Sequence, residues 1–368
     1  MNILLVNYTD LGGKRNPIAM LDIASYCRSK GHKVTCMHAK ALTPAIVKSA
    51  DIVGISCLFP PLGGDPVELA ELIADTYDKP VVVGGKWSRS NPKVRSQDKR
   101  VTVTTADGEV FFHDLVAPPD LAEHPPWDAQ DFDTLKMARI EVMSSRGCPY
   151  KCNFCNNTEP KVRYFTPKRT ATNMALLQRR KVDSLFIVDD VFTMKIGRMT
   201  EIREEMTKQK VTLPVRFFTH INFINYEMIA EIKKYNPLRV TIGIESGDED
   251  QLRNMGKTFM PLKAENKLFD LKEAGIRVGG CFLIGYPGET EQSLERTLQF
   301  VKRTKDCFNN IHVSMYQPVK GTVGYASAMI RMPEFRSAGR NQEITYVDPN
   351  ISAGILRKYM RKIREAVR

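Results

Sequence analysis

An α/β chain with two successive parallel sheets is what this sequence predicts. Three observations carry the prediction. Short β-branched apolar runs alternate with amphipathic stretches along most of the chain, the pattern of parallel sheets covered by helices. The alternation breaks once, at residues 117–138 (APPDLAEHPPWDAQDFDTLKMA), where four prolines and several acids give linker composition. The 368 residues, 42% of them hydrophobic, suffice for two cores. The expected order is a doubly wound parallel sheet over 1–116, a linker over 117–138, a partial (β/α)6 TIM-type barrel over 139–328, and a C-terminal helical extension over 329–368.

In the first half, MNILLVNY is strand one, followed by a loop at Gly12-Gly13. PIAMLDIASYCRSKGH is a helix with Gly31 as its stop signal. KVTCMHA and DIVGISCL are the next strands. DPVELAELIADTYDK is an amphipathic helix with Pro66 near its start. VVVGG is strand four, and VTVTTADGEVFFHDL adds a strand and a helix. After the linker, strands are expected at RIEVMSS, SLFIVDD, VRFFTHIN, RVTIGIES, VGGCFLIG and NIHVSMYQ, with helices such as YEMIAEIKKYN and TEQSLERTLQFVKR between them. Six βα units suggest a partial barrel, with its chemistry at the C-terminal ends of the strands. The last stretch, ISAGILRKYMRKIREAVR, is an amphipathic helix. Ile355, Leu356, Tyr359, Ile363 and Val367 share one face, and Arg357, Lys358, Arg361, Lys362 and Arg364 line the other.

Composition narrows the function classes. No apolar run approaches the roughly 18 residues that cross a membrane. The start of the chain reads as a strand, not a signal peptide. Eight cysteines, three of them clustered, do not make a disulfide framework, so a reducing cytoplasm is expected. The net charge of +12 favours anionic partners such as nucleic acid, nucleotides or phosphorylated metabolites, set against ordinary solubility charge. Residues 331–368 hold nine Lys/Arg and four Asp/Glu, a local excess of +5. For the last helix, core packing with a solvated basic face competes with a nucleic-acid contact.

The sharpest motif is C-x-x-x-C-x-x-C, at Cys148, Cys152 and Cys155. Three thiolates this close can hold three irons of a cubane cluster and leave the fourth iron open to chelate another molecule. The competing readings are incidental cysteines or part of a structural zinc site. Zinc needs a fourth ligand and usually two C-x-x-C knuckles, and the sequence has no second knuckle.

With Phe154 one residue before the last cysteine, the chain resembles the radical S-adenosylmethionine (SAM) superfamily. The resemblance implies a [4Fe-4S] cluster on those cysteines, with SAM on the open iron. It implies reductive cleavage of SAM to a 5′-deoxyadenosyl radical that abstracts hydrogen, and an electron donor such as flavodoxin or ferredoxin.

The first half resembles the cobalamin-binding-type Rossmann domain that precedes many radical SAM domains. Strand three and its loop, then V-V-G-G, then a degraded G-E-x-x-F (Gly108, Glu109, Phe112) carry that likeness. No D-x-H-x-x-G follows strand one, so a histidine on cobalt from that place is absent. A cobalamin tail is expected along the strand ends at Ser56, Gly84 and Gly85, where small residues admit close approach. Gly84-Gly85 also reads as a plain strand-end turn. Arg15, Lys86 and Trp87 are bulky neighbours.

The other candidates lie at strand ends. Asp189 and Asp190 end FIVDD, where the superfamily places an acceptor for the SAM ammonium; a helix cap is the bland alternative. Glu245 and Ser246, in G-I-E-S-G, resemble the element facing ribose hydroxyls or the methionine carboxylate. GCFLIGYPGET, with Gly285, Pro287, Gly288 and Glu289, matches the element flanking adenine, and Glu289 reads equally as a turn support. Pro318 to Thr322 match after the sixth strand. His220 and Asn222 stand where relatives often have Arg, and His220 reads as a structural histidine. Cys27, Cys36, Cys57 and Cys281 read as buried free thiols. Cys57 superficially suggests a methylthiotransferase, but the loops NYTDLGG and VGGKWS lack the further cysteines of that subfamily.

The expectation is a radical SAM enzyme, most simply a cobalamin-dependent methyltransferase acting on an unactivated carbon of a small-molecule or anionic substrate. The first alternative is a cobalamin-free radical SAM enzyme of rearrangement, cyclisation or oxidation. The second, of another class, is a nucleic-acid-binding module with a structural cluster.

Overall fold

The structure is a computed structural model that describes residues 1–9, 17–58, 64–112, 120–135, 141–156, 159–180, 182–332 and 346–367. The Gly12-Gly13 loop and Arg15 lie outside the described residues. The chain divides into two compact units. The first holds Met1–Ser144, Arg163–Val182 and Glu205–Val211; the second holds Ser145–Val162, Asp183–Glu204 and Thr212–Arg368.

The first unit is built on a parallel sheet of β1 (Asn2–Asn7), β2 (Lys33–His38), β3 (Ile52–Ser56), β4 (Val81–Gly84) and β5 (Val101–Val103). The strand order is β2-β1-β3-β4-β5. The register aligns Asn7 with Ser56 and Ser56 with Gly84, so β1, β3 and β4 end together. The apolar runs are buried, as a sheet covered on both faces requires. Leu4, Val6, Val53, Ile55, Val81 and Val83 form one core with Ala70, Ile73 and Ala74 of the helix Pro66–Tyr77. Gly54 has no side chain because Phe112 and Leu5 fill its place; an added Cβ would lie 2.7 Å from the Phe112 ring. The G-E-x-x-F remnant is therefore structural. Phe112 packs on Gly54, and buried Glu109 pairs with buried His124 at 3.0 Å. In the former linker stretch, the Trp127 indole donates to Asp22 at 2.7 Å, and Arg169 pairs with the same carboxylate.

Three two-residue strands follow: β6 (Glu141–Val142), β7 (Ser145–Arg146) and β8 (Arg163–Tyr164). The larger sheet has six strands. Five of them belong to the second unit: β9 (Leu185–Ile187), β10 (Val215–Thr219), β11 (Pro237–Glu245), β12 (Val278–Ile284) and β13 (Phe308–Met315). They run parallel in the order β13-β12-β11-β10-β9. Parallel pairing brings the residues after each strand to one edge, and that edge carries nearly every candidate in this unit. The helix Glu291–Thr304 starts at a capping box made by Thr290 and Ser293. The helix Ala353–Glu365 buries Leu356, Tyr359 and Ile363, as its apolar stripe requires. Among the described residues, no helix is long and apolar enough to cross a membrane.

Candidate functional site

The three clustered cysteines lie in one loop of the second unit, and backbone contacts hold that loop. Gly147 has φ +99°, and an added Cβ would lie 2.6 Å from the Lys161 carbonyl oxygen, so only glycine fits. The next amide, of Cys148, donates to the Glu159 carbonyl at 2.9 Å. Asn153 is clamped three ways. Its amide donates to the Met255 carbonyl (2.8 Å), its side chain donates to the Asn254 carbonyl (2.8 Å), and its carbonyl accepts from the Gly324 amide (2.7 Å). Gly256, at φ +72°, completes the dock, since an added Cβ would lie 3.1 Å from the Lys151 carbonyl.

All three are outside disulfides. Burial pushes the Cys148 thiol up to about 11, with Asp190, Cys152 and Cys155 adding to the shift. Burial also raises Cys152, against the pull of the nearby Lys257 cation. The thiols thus feel one another's charge within a partly desolvated loop. Among the described residues, no three His, Cys, Asp or Glu side chains converge as ligands of a single metal ion. Soft sulfur donors from one short loop, with Cys155 exposed beside half-buried Cys148 and Cys152, fit the cluster.

Lys257, which sequence reasoning missed, follows Gly256 directly. Its ammonium lies 3.2 Å from Glu245, donates to the Gly243 carbonyl at 3.1 Å, and stands 5.6 Å from the Phe154 ring centre. Burial pushes this ammonium down, but Glu245 and the Cys152 and Cys155 thiols more than offset it, leaving it raised and charged. Glu245 sits at a β-bulge with φ +68°, a strained conformation for a residue with a side chain. Its carboxylate is thus engaged inside the fold. Ser246 is engaged as well: it is buried, lies 3.0 Å from the Thr297 hydroxyl, and accepts from the Asp248 amide at 3.1 Å.

The structure separates the two aspartates after β9. Asp189 is 1% exposed and accepts from the Ser145 hydroxyl at 2.6 Å. Asp190 is exposed, and its charge acts on Cys148. After β10, His220 accepts from the Asn222 amide through Nδ1 at 3.3 Å and stacks on Tyr150 of the cysteine loop at 3.8 Å. Burial and the Lys257 and Lys267 cations push its imidazole down to about 3, so it stays neutral. After β12, Gly285 (φ +76°) donates its amide to Glu289 at 3.0 Å. Ser293 donates to the same carboxylate, and burial pushes Glu289 up to about 7. The Gly288 amide donates to Asp348 at 2.7 Å. Phe154 packs beside Tyr286, Tyr316 and Tyr346, an aromatic cluster drawn from four separate loops. Pro318 is buried in the loop after β13.

In the first unit, Ser56, Gly84 and Gly85 stand at the aligned strand ends. Gly85 has φ +101°, and an added Cβ would lie 2.5 Å from the Cys57 carbonyl, so this glycine is required by the turn itself. Gly84 is open: an added Cβ would meet only the Thr104 methyl, at 3.6 Å. Lys86 is exposed and Trp87 half-buried, with the Trp87 amide donating to Cys57. Cys27, Cys36 and Cys57 are buried and Cys281 is half-buried, all four outside disulfides.

Two parallel α/β sheets, the second carrying a three-cysteine loop at its strand-end edge, define the class. Residues 142–301 match the radical SAM superfamily, and the chain carries a radical SAM domain. It is 25% identical to an uncharacterized methyltransferase of Pyrococcus horikoshii over 243 residues, covering 64% of this chain and 50% of that one. It is 23% identical to a putative methylthiotransferase of Methanocaldococcus jannaschii over 282 residues, covering 72% and 61%. The chain thus spans about half to three-fifths of the length of these curated relatives. Its fold resembles that of the radical SAM methyltransferase TsrM from Kitasatospora setae, solved with cobalamin and a [4Fe-4S] cluster. The TM-score is 0.72 at 15% identity, covering 98% of this chain and 84% of the other.

Proposed function

We propose that the protein is a radical SAM enzyme whose Cys148, Cys152 and Cys155 hold a [4Fe-4S] cluster, and that it transfers a methyl group to an unactivated carbon with cobalamin. The observation that carries this reading is the cysteine loop, docked through Asn153 and Gly256 at the strand-end edge of the second sheet. When bound, such a cluster supplies the electron that cleaves the sulfonium bond of SAM to methionine and a 5′-deoxyadenosyl radical.

The chain's own residues bind and orient. Asp190 is the exposed carboxylate beside the loop and suits an ammonium, which has three donors and no acceptor. Asp189 fixes Ser145 beneath it. Glu289 holds the Gly285 turn in the shape that lets backbone flank an adenine. Phe154 and its tyrosine neighbours make an apolar wall. Glu245 acts through Lys257, and Ser246 braces the β11 end. Cobalamin, where bound, supplies a methyl carrier, and Ser56 and open Gly84 at the strand ends of the first unit would hold it. The methyltransferase relative and the cobalamin-holding structure of similar fold support that half of the reading. The putative methylthiotransferase favours a second reading, sulfur insertion. The loops after β1 and β4 lack the cysteines for a second cluster, which weighs against it. The substrate class is a small or anionic molecule, with a flavodoxin or ferredoxin as electron donor.

Anaerobically reconstituted protein is expected to hold about four irons and four sulfides per chain. With a strong reductant it should convert SAM to 5′-deoxyadenosine and methionine. The variant with Cys148, Cys152 and Cys155 all changed to Ala should lose both. Undiminished iron in that variant would remove the loop from the site.

A further inference from the structure

The dock under the cysteine loop contains a charge that no motif accounts for. The Lys257 side chain, 5% exposed, lies between the strand end that supplies Glu245 and the loop that supplies Phe154. An ammonium has three donors. Glu245 and the Gly243 carbonyl take two, and among the described residues no third acceptor is in reach. Burying a cation costs several kcal/mol before its partners offset it, and an apolar residue of similar length would fill the space more cheaply. Retaining the charge therefore points beyond packing.

The local backbone delivers the charge to one place. The left-handed turn at Gly256 presses the chain against Lys151 and Asn153, inside the cysteine motif. The next side chain then runs under Phe154, which stands between Cys152 and Cys155. The strained conformation of Glu245 brings a carboxylate to the same ammonium. The glycine turn at Gly256 and the strained Glu245 thus bring one ion pair to the Phe154 ring inside the cysteine motif.

We propose that Lys257 and Glu245 form a positioning pair that sets the reduction potential of the cluster held by Cys148, Cys152 and Cys155. The inference rests on the cluster reading above and names a role for two residues within it. Reduction adds one negative charge to the cluster. In a poorly screened interior a nearby fixed cation stabilises the reduced form, and a nearby anion opposes it. The two partners should therefore move the potential in opposite directions. A merely structural role predicts no such split.

The experiment is a redox titration of the anaerobically reconstituted full chain, followed by electron paramagnetic resonance. Wild type is compared with Lys257→Met, Lys257→Arg and Glu245→Gln, with iron content and apo-protein melting measured alongside. The expected result is a more negative potential for K257M, a less negative one for E245Q, and K257R close to wild type. Equal potentials in wild type, K257M and E245Q would overturn the proposal. If K257M folds but takes up no iron, the potential of E245Q decides, a less negative value supporting the pair and an unchanged one overturning it. If K257M fails to fold, E245Q decides: a less negative potential supports the pair, and an unchanged one overturns it. Wild type without iron would defeat the cluster reading itself, and that outcome is seen before any variant is made.

Discussion

Two adjacent carboxylates after β9 have opposite surroundings, and that difference is a prediction. Asp190 is exposed and acts on the cysteine loop, so Asp190→Asn should weaken SAM binding roughly 10- to 100-fold, the worth of one hydrogen bond to a charged group. Its iron content and melting temperature should stay at wild-type levels. Asp189→Ala leaves the Ser145 hydroxyl without its acceptor and should cost about 1–3 kcal/mol of stability. Calorimetric titration with SAM and urea denaturation separate the two effects. A loss of SAM affinity in Asp189→Asn but not in Asp190→Asn would reverse the assignment. The sequence displayed both residues and the strand that ends with them, because apolar alternation and a terminal Asp pair are local signals. Which of the two faces the loop depends on Ser145, 44 positions earlier in the chain, and no local pattern encodes that. Lys257 was illegible for the same reason. Its role comes from the turn at Gly256 and from partners on β11, while in sequence it is one lysine among many.

At the scale of elements, the turn after β12 carries a pH signature. Burial raises Glu289 to about 7 in the folded chain, above its unfolded value. Between roughly pH 4.5 and 7 the folded state therefore keeps a proton that the unfolded state has lost. Stability from this group is full at low pH and is lost as pH rises through about 7. Glu289→Gln keeps an acceptor for Gly285 and a donor for Ser293 but cannot ionise. It should flatten that part of the profile and exceed wild type by about 3 kcal/mol above pH 7. Urea midpoints of the apo protein at pH 5, 6, 7 and 8 test this, and parallel curves for the two proteins would refute it. The turn after β4 gives a second test. Gly85→Ala must force a side chain into a left-handed conformation against the Cys57 carbonyl, and should cost more than about 2 kcal/mol. Gly84→Ala, which meets only a methyl at ordinary contact distance, should be nearly silent. The Gly-Gly pair was visible in the sequence. The division of labour within it was not, because it depends on where the Cys57 backbone lies.

At the scale of the molecule, strand positions were legible, since each strand is a local apolar run and each helix a local amphipathic one. The order β2-β1-β3-β4-β5 was not, because pairing is decided by crossovers between distant segments. That order has a consequence for ligand binding. In an open parallel sheet the chain reverses direction of travel where β1 and β3 lie side by side, and the loops leaving their C-terminal ends part to form a crevice. Ser56 stands at that crevice, and Gly84 is next along the same edge. A cobalamin bound there meets no histidine from the first loop, since NYTDLGG has none. After anaerobic reconstitution with hydroxocobalamin and desalting, the visible spectrum should therefore show retained corrinoid. Reduced to the cobalt(II) form, its paramagnetic resonance should show no splitting from a histidine nitrogen. Gly84→Val should keep the thermal stability of wild type yet retain several-fold less corrinoid, because its added methyls occupy the open approach to the backbone. Equal retention by wild type and Gly84→Val would move the ligand away from this edge. A wild-type spectrum without corrinoid would withdraw methyl transfer through cobalamin and leave the cobalamin-free radical enzyme as the reading.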